Sequence, residues 1–296
     1  MSDFEERILP HAAYRESYWT YSEHLSRYAF ADRLLPHHGY AVDVGCGCGY
    51  GSAYLAEAPG RRVLGVDCSG DAISYARNNY QMEQVSFARA DGASLPIRSG
   101  IIDAVTMLEA IEHVKDPEAL LREVYRVLKP GGIYVVSTPN RHVTGSGVTP
   151  HNPYHLCEYT PHEFTRLLTG CFPHHRIYGQ ALSPAFRAYE ASLQDIWKSL
   201  WSLQGLSLDG MHALRSRVDV NERMTGVAWM KKLVDRLRKR GRSGAVEGAD
   251  DLQKWQDDLR RQFEHTRSAV PRAADWEVTP YAIEQAPVLI ALCWKK

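Results

Sequence analysis

At 296 residues and 33.4 kDa the chain has room for about two domains, or for one large α/β domain carrying an insertion. Lys+Arg and Asp+Glu number 35 each, the apolar fraction is 44% and the mean hydropathy is -0.37. Wholesale disorder and a globally nucleic-acid-seeking charge are thereby excluded. The first residues, MSDFEERILP, are acidic and show no apolar targeting segment, and the apolar run Pro287 to Trp294 is far shorter than the ~20 residues of a membrane span. A cytoplasmic protein without an anchor is expected. The six cysteines, at positions 46, 48, 68, 157, 171 and 293, show no paired disulfide framework, and Cys46-x-Cys48 is tighter than zinc-knuckle spacing, so they read as small buried or loop thiols.

Residues 12 to 35 carry Tyr14, Tyr18, Trp19, Tyr21, Leu25, Tyr28 and Phe30 at mixed helical spacing, which predicts one or two helices forming an N-terminal cap over 1–37. From Tyr40 onward short apolar runs alternate with amphipathic stretches. Strands are expected at Ala41 to Val44, Val63 to Val66, Val85 to Phe87, Ile102 to Leu108 and Ile133 to Ser137. This is the rhythm of a parallel sheet with helices on both faces. Leu120, Leu121, Val124, Val127 and Leu128 mark a helix that Lys129-Pro130-Gly131-Gly132 stops. Arg176 to Ala181 and Pro287 to Trp294 complete a Rossmann-like, mostly parallel sheet of seven strands, which makes 184–275 an excursion from a domain spanning 38–183 and 276–296. Within the excursion, Phe186 to Leu203 and Leu252 to Phe263 repeat at helical spacing, predicting an all-helical insert that acts as an acceptor-binding lid. Lys231 to Arg242 holds seven basic residues and Glu247 to Asp258 five acidic ones, read as solvated opposite faces around a loop at 241–248, with an RNA-binding strip as the alternative.

The first strand runs into Gly45-Cys46-Gly47-Cys48-Gly49-Tyr50-Gly51 and then a helix expected over Ser52 to Glu57, where bared backbone amides face a ligand at a helix N-terminus. The dinucleotide spelling G-x-G-x-x-G is not met, since the residues three after Gly47, Gly49 and Gly51 are Tyr50, Ser52 and Tyr54. Asp43 precedes the loop, Asp67 ends the second strand and Asp91 follows the third. Together with Arg126 to Gly132, these motifs strongly resemble the class I S-adenosylmethionine-dependent methyltransferases, densely over ~38 to 181 and again in the terminal strand. The resemblance implies that Gly45, Cys46 and Gly47 hold the methionine portion of S-adenosylmethionine beside Asp43. It likewise places Asp67 on the ribose, Cys68 near the adenine, Asp91 and Gly92 on the adenine edge, and Leu108 at the end of the fourth strand.

After that fourth strand, Glu109, Glu112 and His113 stand at i, i+3 and i+4, so that on a helical turn two carboxylates and an imidazole share a face. The bland alternative has the glutamates facing solvent and His113 packed on the sheet. Downstream, Asn152-Pro153-Tyr154-His155-Leu156-Cys157-Glu158-Tyr159-Thr160 precedes a capped helix with Phe164, Leu167 and Leu168. These two blocks resemble the metal-dependent sugar and RNA-terminal 2′-O-methyltransferases, which implies Glu109, Glu112, His113 and His155 as ligands of a divalent cation, Mg or Mn first, with His113 and Glu112 catalytic. An aliphatic hydroxyl is a poor nucleophile at pH 7, and a cation that lowers its pKa answers that need.

The function expected is therefore methyl transfer from S-adenosylmethionine to a hydroxyl of a sugar, glycan or glycosylated small molecule. An RNA 2′-O-methyltransferase, a metal-free phenol or amine methyltransferase and a non-catalytic methyltransferase-like subunit are the alternatives. Zero net charge and the lack of a separate RNA-binding motif weigh against nucleic acid. The partners expected are a saccharide or other small-molecule acceptor and, at most, a second copy of the chain in a homodimer.

Overall fold

The computed structural model describes residues 15–145, 150, 152–188 and 273–296, with side chains from residue 20 in the first helix. The chain divides into two units, Met1–Ala181 with Trp276–Lys296, and Leu182–Asp275. The helices, charge runs and loop expected within 189–272 lie outside the described residues, as does the segment before Arg15.

The first described element is helix α1 (Arg15–Asp32). It is followed by β1 (Gly39–Val44), α2 (Tyr50–Leu55), β2 (Arg61–Asp67), α3 (Gly70–Asn79), β3 (Val85–Arg89) and β4 (Ile102–Leu108). Then come α4 (Pro117–Val127), β5 (Leu128–Pro139), α5 (Arg141–Thr144), α6 (Pro161–Thr169), β6 (His174–Leu182), β7 (Trp276–Thr279) and β8 (Val288–Trp294). The strands form one sheet in the order β3-β2-β1-β4-β5-β8-β6-β7. β1 to β5 are parallel, and β8 runs antiparallel to both β5 and β6.

The α/β fold is as expected, but the sheet has eight strands rather than seven. The additional strand, Trp276-Glu-Val-Thr279, is four residues long, too short to show a two-residue period in the sequence. Helix α2 starts at Tyr50, two residues earlier than Ser52, because Gly49 at φ 88° supplies the left-handed N-cap and the helix begins at once. β5 starts at Leu128, ahead of Ile133: its pairing with β4 jumps from Ile102↔Leu128 to Ala104↔Ile133, and the turn glycine Gly131, at φ 78°, lies in that irregularity.

The crossover through α4 has a local cause. Asp116 caps α4 by accepting the Ala119 N–H at 2.8 Å, Pro117 occupies the first turn, and Leu120, Leu121, Val124 and Val127 are buried against the sheet. One core lies beneath α4 and α6, with Val42, Val105, Met107, Tyr134, Phe164 and Phe172 among its members. The second core, on the α1 side, includes Tyr28, Phe30, Leu55, Ile73, Phe87 and Ile290. Arg61, 1% exposed, ties α1 to β2 by donating to Asp32 Oδ1 at 2.6 Å and to the carbonyls of Leu35, Pro36 and Leu55. The strand order reverses between β1 and β4, and open parallel sheets bind ligands beyond the carboxyl ends of the strands at that point. Both candidate sites read from the sequence begin there.

Candidate functional site

The loop after β1 is anchored by its own backbone: the N–H groups of Gly45 and Cys46 both donate to the Val66 carbonyl, at 2.8 and 3.0 Å. Gly45, Gly47 and Gly49 all have positive φ, so every second residue of the loop requires glycine. Asp67, at the end of β2, holds the loop through both carboxylate oxygens, accepting the Gly47 N–H on Oδ2 and the Ser69 N–H on Oδ1, each at 2.9 Å. Cys68 is exposed beyond it. Asp91 is exposed and accepts the Ala93 N–H at 2.9 Å, while Gly92 lies so close to Val44 that a Cβ would sit 2.8 Å from its methyl group.

The side chains of Asp43, Cys46 and Leu108 face inward. Cys46 and Leu108 are 3% and 5% exposed and belong to the α1-side core, so the Cys46 thiol is turned away from the loop's surface. Asp43 is fully buried beneath the loop and accepts hydroxyls from Ser52 (2.7 Å), Thr106 (2.7 Å) and Tyr28 (3.2 Å). Burial pushes its carboxyl up to about 6, with those three hydroxyls opposing the rise. Asp43 thus braces β1, α2, β4 and α1 from below, a structural part in the site.

The loop touches the turn after β4, since a Cβ on Gly45 would approach the Ala110 methyl to 2.6 Å. Glu109 adopts φ 54°, a left-handed conformation unusual for a side-chain-bearing residue. Ser137 holds it there: its hydroxyl lies 2.7 Å from Glu109 Oε1 and 3.0 Å from the Glu109 N–H. Arg27 of α1, 1% exposed, places Nη2 3.9 Å from Glu109 Oε2 while Nη1 donates to Gln180 Oε1 at 2.6 Å. Burial alone would lower the pKa of this guanidinium, and the Glu109 and Glu23 carboxylates outweigh it and raise the value.

Ile111–His113 then form one turn of 3₁₀ helix. Its Glu112 carbonyl accepts the N–H groups of Leu156 and Cys157, at 2.8 and 3.2 Å, which hangs the distant 152–159 segment on this turn. A parallel bridge between Asn140 and Tyr159, and a capping box between Thr160 and Glu163 at the head of α6, fix the other end of that segment. Ligand atoms of Glu112, His113 and His155 consequently lie within 4.8 Å of one another. The two imidazoles meet edge to face with centroids 5.0 Å apart. Three of the four residues expected as metal ligands therefore converge, whereas Glu109 is drawn off by Ser137 and Arg27.

The donor set suits a cation. Glu112 is 1% exposed and its Oε2 has no hydrogen-bond partner, and burial followed by the neighbouring Glu109 raises its pKa well above the ordinary value. His113 Nδ1 faces the Tyr154 carbonyl at 3.0 Å and must donate to it, which leaves the lone pair on Nε2. His155 Nδ1 faces Glu158 Oε1 at 2.7 Å. Metal-bound histidines characteristically use the second ring nitrogen in this way, on a carbonyl or carboxylate. Sequence reasoning did not assign a role to Glu158, Asn152, Thr144 or Ser137. The i, i+3 spacing of His155 and Glu158 was the available signal.

Residues 42–136 match the family model described as a methyltransferase domain. Over that stretch the chain is similar to S-adenosylmethionine-dependent methyltransferases. A probable S-adenosylmethionine-dependent methyltransferase of Mycolicibacterium smegmatis is 36% identical over 167 residues, 55% of this chain and 62% of the relative. The ubiquinone biosynthesis O-methyltransferase of Xanthomonas axonopodis pv. citri is 36% identical over 118 residues, 37% of this chain and 46% of that one. The chain spans about three fifths of the length of the first relatives it matches, 58 to 62%. The fold is also similar to that of the [4+2]-cyclase SpnF, at a TM-score of 0.50 and 18% identity over 92% of this chain and 81% of that one. The matched residues include the glycine loop, Asp67, Asp91 and the Glu109–His113 turn, while His155 and Glu158 lie beyond them. Among the described residues, no helix is long and apolar enough to cross a membrane.

Proposed function

We propose that the protein is an S-adenosylmethionine-dependent O-methyltransferase acting on a hydroxyl of a sugar, glycan or glycosylated small molecule, assisted by a divalent cation held by Glu112, His113 and His155. The observation that carries the reading is the convergence of these three residues, with the buried Glu112 Oε2 left without a partner, beside the turn that adjoins the glycine loop. S-adenosylmethionine supplies an electrophilic sulfonium methyl group, and the cation lowers the pKa of a coordinated hydroxyl.

The chain's own residues do the rest. Gly45 and Gly47 offer backbone amides to the methionine portion, Asp67 accepts from the ribose hydroxyls, and Asp91 and Gly92 border the adenine. Asp43, with Tyr28, Ser52 and Thr106, keeps the loop in the shape this requires. Glu109, held outside the ligand set by Ser137 on Oε1 and paired through Oε2 with Arg27 at 3.9 Å, is the carboxylate beside the cluster that takes the proton of the acceptor hydroxyl. A vicinal diol would suit this site best, since two oxygens could be held at once and the orientation of the reacting one fixed. The relatives include an O-methyltransferase and, in Rauvolfia serpentina, a norajmaline N-methyltransferase. The carboxylate and imidazole cluster is what favours oxygen.

The test is transfer of labelled methyl from S-adenosylmethionine to a panel of glycosides with and without vicinal diols, run with Mg²⁺ or Mn²⁺ and with a chelator. Transfer to a diol oxygen that the chelator abolishes and the cation restores is expected. Transfer indifferent to the chelator, or directed to amines or phenols, would overturn the reading.

A further inference from the structure

Two hydrogen bonds of the Asn152 side chain have fixed polarity. Its Oδ1 accepts the backbone N–H of Tyr154 at 3.0 Å, and a backbone N–H can only donate. The other terminal atom is therefore the NH₂ group, and it lies 3.0 Å from His155 Nε2. An NH₂ group also only donates, so Nε2 must present a lone pair. The proton of a neutral His155 is then on Nδ1, where Glu158 Oε1 stands at 2.7 Å to accept it. A donor at Nε2 and an acceptor at Nδ1 select the same tautomer.

Glu158 is itself held. It is 3% exposed, and its second oxygen accepts the Thr144 hydroxyl at 2.6 Å. Thr144 closes α5, whose N-cap Asn140 is bridged to Tyr159, so the orienting group and the ring it orients are joined to the same end of β5. The Arg141 side chain adds a bond to the Glu158 carbonyl at 3.2 Å. A carboxylate this deeply enclosed, with one oxygen on an imidazole and the other on a hydroxyl, has little freedom to rotate.

We infer that Glu158, held by Thr144 and seconded by Asn152, is a positioning residue that fixes His155 as its Nδ1-protonated tautomer and so reserves Nε2 for a ligand. Glu158 also makes the imidazole a stronger electron donor, the usual effect of a carboxylate behind a metal-binding histidine. Asn152 donates to the Nε2 lone pair and would have to yield it to a cation. The metal part of this inference rests on the proposed function, whereas the tautomer itself does not.

The experiment reads both. Ring ¹⁵N shifts of His155 in the metal-free full-length protein, assigned with His155→Gln, report the tautomer directly. Protonation on Nδ1 with an unprotonated Nε2 is expected, and the reverse tautomer or an equal mixture would overturn the inference. Mn²⁺ affinity is then compared between wild type, Glu158→Gln, Glu158→Ala and Thr144→Val. Losing the carboxylate should weaken binding about 10- to 100-fold, with Glu158→Gln milder than Glu158→Ala because its amide oxygen still accepts from Nδ1. Thr144→Val, which keeps side-chain volume and removes only the hydroxyl, guards against a folding defect and should weaken binding by a smaller factor. Equal Mn²⁺ affinity in all four proteins would overturn the role of Glu158. A wild type that binds no Mn²⁺ yet shows the Nδ1 tautomer would instead sink the metal reading and leave the tautomer assignment standing.

Discussion

The glycine at position 51 is the sharpest test of how α1 is locked onto the cofactor loop. A Cβ built on Gly51 would lie 1.9, 2.2 and 2.3 Å from three carbons of the Tyr28 ring. Ordinary carbon contacts are about 3.5 Å, so in Gly51→Ala the ring must retreat by roughly 1.5 Å. Tyr28 is 4% exposed and its hydroxyl donates to Asp43, so it has no easy direction to move. Overpacking of this kind costs about 1–3 kcal/mol, and losing a hydrogen bond to a carboxylate about 1.5–3 kcal/mol more. Replacing glycine by alanine in α2 returns at most about 1 kcal/mol of helix propensity. The net expectation is a destabilisation of about 3 kcal/mol, read by urea denaturation followed by circular dichroism. A double-mutant cycle isolates the cause: in a Tyr28→Ala background the ring is gone, and Gly51→Ala should then be neutral or slightly stabilising. The same cost in both backgrounds would refute the reasoning.

Arg61→Ala removes the donor that serves Asp32 and three carbonyls, and should destabilise the fold by about 3 kcal/mol in the same assay, with a near-neutral result contradicting the staple assigned to it. Asp43 predicts a pH dependence. Its folded value, about 6, lies above the ordinary 3.8, so the native state holds the proton more tightly. The associated stability is fully present below about pH 4 and is lost as pH rises through 6, on the order of 3 kcal/mol. Subtracting the profile of Asp43→Asn from that of wild type should reveal this slope, and parallel profiles would rule it out. Glu109→Gln keeps a side chain beside Ser137 and removes the carboxylate, so methyl transfer should fall more than tenfold, with some loss of stability because the buried Arg27 loses a counter-charge; unchanged transfer would remove Glu109 from the mechanism.

Much of the α/β core was legible because its signals are local. β4 falls on Ile102–Leu108 as its apolar run suggests, and α4 buries four of the five leucine and valine positions its spacing marked, the fifth, Leu128, being its C-cap and the first residue of β5. What the sequence hid depends on long-range contacts. β7 has too few residues for a period, and the start of β5 depends on pairing with β4 around Gly131. At the site, Glu109, Glu112 and His113 look equivalent by spacing, yet a one-residue left-handed kink and a serine 28 positions away separate Glu109 from the other two. His155 joins the cluster only because the Glu112 carbonyl captures the backbone of Leu156 and Cys157. Arg27 and Gln180 meet across 153 residues, a pairing that no local pattern encodes.

The most direct measurement is a crystal structure of the full chain grown with S-adenosylhomocysteine and Mn²⁺, with data collected for manganese anomalous scattering. The account predicts one anomalous peak bonded to Glu112, His113 and His155, with Asn152 withdrawn from His155 and the cofactor product lying over Gly45 to Gly49. Density for S-adenosylhomocysteine without manganese at that cluster, or with manganese elsewhere, would contradict it.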